Sequence, residues 1–101
     1  MSVKAEDVNF FGKWQGVSKN IYTLYGDLEF NEKQLVFSIQ GNYKYVVLES
    51  NEAYMLLELK KPVLCGNYIK LGHYKENQME FSILKSNTSS PCSWGIYEKR
   101  M

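Results

Sequence analysis

From Gly12 onward, apolar and polar side chains alternate with a period of two, as they do in strands that bury one face. Lys13 to Asn20 sets Trp14, Gly16 and Ser18 against Lys13, Gln15 and Val17. Ile21 to Phe30 continues as a second extended stretch, bent or bulged at Gly26. Asn31-Glu32-Lys33 reads as a turn, and Gln34 to Gln40 follows with Leu35, Phe37 and Ile39 on one face. Gly41-Asn42 is a two-residue hairpin signal. It leads into a strand over Tyr43 to Ser50, a turn at Asn51-Glu52 and a strand over Ala53 to Lys60. Lys61-Pro62 through Gly66-Asn67 reads as a longer connection. Tyr68 to Tyr74 and Met79 to Lys85 pair around Lys75-Glu76-Asn77, and Cys92 to Arg100 closes the chain after a polar loop over Ser86 to Pro91.

Eight short strands, with turns roughly every 8–12 residues, predict an all-β antiparallel fold. Short connections favour an up-and-down meander, and closing it into a barrel removes exposed edges. A β-sandwich is the alternative. The expected organisation is one domain over residues 1–101, with an N-terminal helical turn (1–12, capped at Ser2) and a barrel (13–100). Trp14, Leu35, Phe37, Ile39, Val47, Leu57, Met79, Phe81, Ile83, Trp94 and Ile96 form the expected inward set. These side chains are bulky, and the interior of an eight-stranded barrel is just wide enough to be filled by them.

Composition sharpens this picture. The 101 residues are 45% hydrophobic and 15% aromatic, which suits pleated, half-buried surfaces. A net charge of +1 lacks the basic field of a general nucleic-acid binder. The polar start Ser2-Val3-Lys4-Ala5-Glu6-Asp7 is unlike a signal peptide, and no apolar run reaches membrane-span length. The expectation is a cytoplasmic protein with no membrane or nucleic-acid partner. Cys65 and Cys92 are then reduced thiols by default, with a disulfide as the alternative in an exported protein. Asn-, Lys-, Tyr- and Ile-rich usage is compatible with an AT-rich bacterial genome.

Catalytic chemistry finds little support. His73 is the single histidine, and no oriented partner stands beside it in sequence. Cys65, His73 and Cys92 show no metal-ligand spacing, and the glycines form no phosphate-binding loop. Asp27 and Glu29 sit two apart on one strand face, the arrangement of ordinary solvated charge. The chain is therefore expected to be non-enzymatic, with no cofactor and no metal.

Phe10-Phe11-Gly12-Lys13-Trp14 resembles the N-terminal Gly-x-Trp signature of the calycin superfamily, which includes lipocalins and intracellular fatty-acid-binding proteins. The resemblance implies an up-and-down barrel whose Trp closes one end beneath a basic residue near the C-terminus. Trp14 and Arg100 match those two barrel-closing positions. It also implies a small hydrophobic ligand or haem as possible cargo. The chain is shorter than typical members and lacks the helical lid of the fatty-acid carriers.

Binding through the outer surface is the remaining expectation. Glu49, Glu52 and Tyr54 flank one hairpin tip, and Glu76 and Glu80 flank another. Acids beside tyrosines are what a protein presents to a basic cleft. Bacterial immunity proteins, including those of contact-dependent growth-inhibition systems, share this size and lack of enzymatic motifs. The expected function is a protein-binding inhibitor that blocks the active site of a cognate toxin, such as a nuclease, as a heterodimer. The alternative is a calycin-like carrier.

Overall fold

A computed structural model describes residues 10–86 and 90–100. Eight antiparallel strands close into a barrel in sequential order: β1 (Gly12–Gly16), β2 (Leu28–Phe30), β3 (Gln34–Phe37), β4 (Gly41–Ser50), β5 (Tyr54–Val63), β6 (Gly66–His73), β7 (Gln78–Leu84) and β8 (Pro91–Lys99). β8 returns to β1 through the pairs Trp14↔Lys99 and Gly16↔Tyr97. Closure decides between barrel and sandwich. The capping turn expected at Ser2 lies outside the described residues.

Period-two burial fills the barrel. Leu35, Phe37, Leu57, Ile69, Leu71, Met79, Phe81, Ile83 and Tyr97 are almost wholly buried. Phe81 meets Tyr25, Phe37 and Tyr97 ring to ring at 5.3–5.8 Å between centroids.

Between β1 and β2 the extended stretch expected over Ile21 to Phe30 is instead a helix, α1 (Lys19–Leu24), followed by a turn into the short β2. Alternation cannot distinguish the two here, because Ile21 and Tyr25 are also one helical turn apart. Both are buried and stop one end of the barrel. The Tyr25 hydroxyl is 3.1 Å from Ser93 Oγ, and the Tyr97 hydroxyl donates to the Gly26 carbonyl at 3.0 Å.

Two connections also differ from expectation. The β3–β4 turn is Ser38-Ile39-Gln40, and Gly41 opens β4 opposite Phe37 with φ +100°. The turn is anchored by Ser38 and Ile39, whose amides donate to the carbonyls of Asp27 and Tyr25. The long connection expected after Lys60 is strand almost throughout. β5 and β6 run to Val63 and from Gly66, leaving a tip of Leu64 and Cys65.

Three residues of the expected inward set are half-exposed: Ile39, Val47 and Trp94. Ile39 sits in the turn. Trp94 points outward because Gly95 faces the core, where Ile21 fills the space a side chain would take. Val47 lies beyond the end of β3, whose last pair with β4 is Gln34↔Lys44. The cysteines also depart from the default: Cys65 and Cys92 are joined in a disulfide, tying the β5–β6 tip to the start of β8.

Candidate functional site

Even-to-odd connections (β2–β3, β4–β5, β6–β7) share one end of the barrel with the start of β1 and the end of β8. Phe10 and Trp14 are buried at this end, and the Trp14 indole donates to the Phe10 carbonyl at 2.9 Å. The cation over the Trp14 ring is Lys99, with Nζ 4.8 Å from the centroid, and its ammonium also donates to the Phe11 carbonyl. Arg100, the residue expected there, reaches along the outer wall to Asp27 at 3.2 Å. Strand parity explains the exchange: Lys99 lies two residues from the inward Tyr97, whereas Arg100 lies three away. Burial pulls the Lys99 ammonium below the ordinary lysine range.

The acids and the tyrosine singled out from the sequence gather at this end. Glu49 and Tyr54 face each other across the β4–β5 turn, and the Tyr54 hydroxyl donates to Glu49 Oε1 at 2.9 Å. That bond to a carboxylate raises the phenol above its usual range. Asn51 fixes the turn by accepting from the amides of Ala53 and Tyr54 at 2.7 and 2.9 Å. The register continues Tyr54↔Gly72↔Glu80 around the outer wall, so Glu80 stands two strands from Tyr54 with a glycine between them. Glu52 and Glu76 occupy the β4–β5 and β6–β7 turns, both exposed.

Gly72 and Ser82 form the floor of a solvent-open groove of about 480 Å³, with Tyr54, Lys70, Glu80 and Trp94 along its sides. Lys70 Nζ lies 4.4 Å from the Tyr54 ring centre. The groove thus offers a carboxylate, an ammonium and two aromatic faces in one place. Among the described residues, no strand pairs with β4 beyond Lys44 on its β3 side. That stretch carries Val46, Val47 and Leu48, all half-exposed, and bulges between Val47 and Glu49. An open edge with apolar side chains is a template for another chain's strand. The sequence pattern does not single out Gly72 or the β4 edge. The edge depends on how short β3 is, which alternation does not reveal.

Catalytic candidates are not brought together. His73 stacks on Phe10 with centroids 4.8 Å apart, and both cysteines are consumed in the disulfide. Asp27 pairs with Arg100, and Glu29 lies opposite Lys13 across β1–β2. Among the described residues, no three of His, Cys, Asp and Glu cluster as a metal set. No family model, curated protein or solved structure matches the chain.

Proposed function

We propose that the chain is a non-enzymatic, protein-binding inhibitor of the immunity type, docking through the β4–β5 end and its outer wall. The observation that carries this reading is the open β4 edge beside the Glu49–Tyr54 pair. Strand addition along Val46 to Leu48 supplies affinity through backbone hydrogen bonds. Glu49, Glu52, Glu76 and Glu80 supply the charge that selects a basic partner surface. The partner is then an enzyme with a basic cleft, one that handles an anionic substrate.

The disulfide bears on where the two meet. Disulfides persist in oxidising compartments and are rare in the cytoplasm. The bonded Cys65 and Cys92 therefore favour a partner acting outside the cytoplasm over a cytoplasmic nuclease.

A calycin-like carrier is the weaker reading. Trp14 at the barrel end and the up-and-down order favour a calycin relationship. The packed aromatic interior and α1 argue against cargo inside the barrel.

The test is to purify the chain with the protein encoded beside its gene and titrate one with the other. The expected result is a one-to-one complex that abolishes the partner's activity. Glu49→Lys with Glu80→Lys should weaken it at least tenfold. An equally tight complex with that variant would sink the proposed surface, and a partner that remains active in the complex would sink the inhibitor reading.

A further inference from the structure

The opposite end of the barrel differs in character. It gathers the β1–β2, β3–β4, β5–β6 and β7–β8 connections, with α1 in the first. Val17, Tyr22 and Leu24 are half-exposed in and beside α1. Ile39 and Leu64, at 56% and 55% exposure, are the tips of the β3–β4 and β5–β6 hairpins. Trp94, 48% exposed, flanks the same end, where its carbonyl accepts from the Asn20 side chain of α1 at 2.8 Å. Among the described residues, six of the ten exposed large hydrophobics therefore lie at or beside this end.

Charge follows the same division. Lys19, Lys60, Lys61 and Lys85 are exposed around this end. Lys44, Lys60 and Lys61 line a hollow of about 450 Å³ with Gln34 and Asn42, a lining of ammoniums and amides without a carboxylate. Neighbouring like charges on a sheet are unfavourable until an anion is shared between them. Glu58, two residues before Lys60 on β5 and opposite Val46, stands beside these lysines but outside the lining of the hollow. Leu64 adds a backbone signal: it adopts φ +55°, a left-handed conformation costly for leucine, at an exposed tip. The disulfide at adjacent Cys65 holds that tip to the start of β8, two residues from Trp94.

From this juxtaposition we propose that the α1 end of the barrel docks on an anionic lipid bilayer surface. Ile39, Leu64 and Trp94 enter the interface, while the lysines contact phosphate headgroups. Aromatic and apolar tips ringed by lysines are the chemistry of interfacial attachment, in which Trp belongs at headgroup depth. The chain attaches without spanning: among the described residues, no helix is long and apolar enough to cross a membrane. The barrel also buries its apolar face inward, the reverse of a spanning barrel. Attachment at this end leaves the β4–β5 end pointing away from the membrane.

Co-sedimentation of the full chain with vesicles tests this, comparing phosphatidylglycerol mixed into phosphatidylcholine with phosphatidylcholine alone. Binding is expected only to the anionic vesicles, and should fall as salt rises. Tryptophan emission should shift to the blue, reporting Trp94 because Trp14 is only 4% exposed. Lys60→Glu with Lys61→Glu should weaken binding by more than tenfold, from about fivefold for each lysine lost. Ile39→Asp with Leu64→Asp should abolish the blue shift, with circular dichroism confirming that the barrel is intact. Absence of binding at low salt, or equal binding by folded Lys60→Glu/Lys61→Glu protein, would overturn the proposal. Equal binding to neutral vesicles would overturn its electrostatic half.

Discussion

The Lys99 ammonium sits 4.8 Å above the Trp14 ring while donating to the Phe11 carbonyl, so one side chain closes the end of the barrel that strand pairing leaves open. Its stem packs in the same place. Losing it removes a cation–π contact and apolar cover together, about 1–2 kcal/mol. Arg100 makes a half-exposed ion pair with Asp27, of a kind worth about 0–1 kcal/mol. Urea unfolding of Lys99→Ala and Arg100→Ala should therefore show the larger loss for Lys99. A larger loss for Arg100 would place the closing cation wrongly.

Alkaline pH should destabilise the protein. Burial raises Tyr97 far above 10, and burial also raises Tyr25 and Tyr45. Below pH 10 these phenols are neutral whether the chain is folded or unfolded. Above it the unfolded chain ionises first and the folded chain does not, so stability falls as pH rises. Tyr97 alone contributes a slope of about 1.4 kcal/mol per pH unit. Lys99 acts in the opposite sense. Its lowered value means that the folded chain sheds the proton first, which favours folding as pH climbs toward the ordinary lysine range. One lysine opposes several tyrosines, so the melting temperature should drop between pH 9 and pH 11 or so. Tyr97→Phe should flatten that drop.

Much of the barrel is legible in the sequence because its strands bury one face each. Leu35, Phe37, Met79, Phe81 and Ile83 fall where alternation places them. The failures share a cause, in that each depends on which side chain fills the space beside a glycine. Gly95 turns Trp94 outward because Ile21 needs the space. Ile21 belongs to a helix because Gly16 admits Tyr22, whose Cβ lies 2.9 Å from where a Gly16 Cβ would stand. Alternation alone carries no information about either. At the candidate site, the hairpin tips of Glu49, Glu52 and Glu76 were readable from turn residues. The Tyr54↔Gly72↔Glu80 register, which makes them one surface, needed the pairing.

The disulfide should be a principal source of stability. It closes a loop with a sequence separation of 27 residues, for which chain entropy alone gives about 3–4 kcal/mol. Cys65→Ser with Cys92→Ser should lower the urea midpoint accordingly, and dithiothreitol should reproduce the effect in the native sequence. Maleimide labelling of native protein under denaturing, non-reducing conditions should find no free thiol. Two labelled thiols per chain in protein taken from its host would argue for a reducing compartment.

Two glycines, Gly95 on β8 and Gly72 on β6, should respond differently to the same substitution. At Gly95 a Cβ would stand 2.1 Å from Ile21 Cγ1 and 2.8 Å from its Cδ1, so Ala forces the helix off the barrel end. Overpacking of this kind costs about 1–3 kcal/mol. Ile21→Ala by itself leaves a cavity, but combined with Gly95→Ala it makes room for the added methyl. The double variant should then lose less than the sum of the two single changes, and strict additivity would show that the two side chains do not compete for one space. At Gly72 the nearest atom to a Cβ is the Ala53 carbonyl at 3.7 Å, an ordinary contact on the outer wall. Gly72→Ala should leave stability within about 0.5 kcal/mol of the native chain. Gly72→Leu should fill the groove between Tyr54 and Glu80 and weaken partner binding while the barrel stays folded. Undiminished affinity in that variant would move the docking surface off the groove and onto the β4 edge alone.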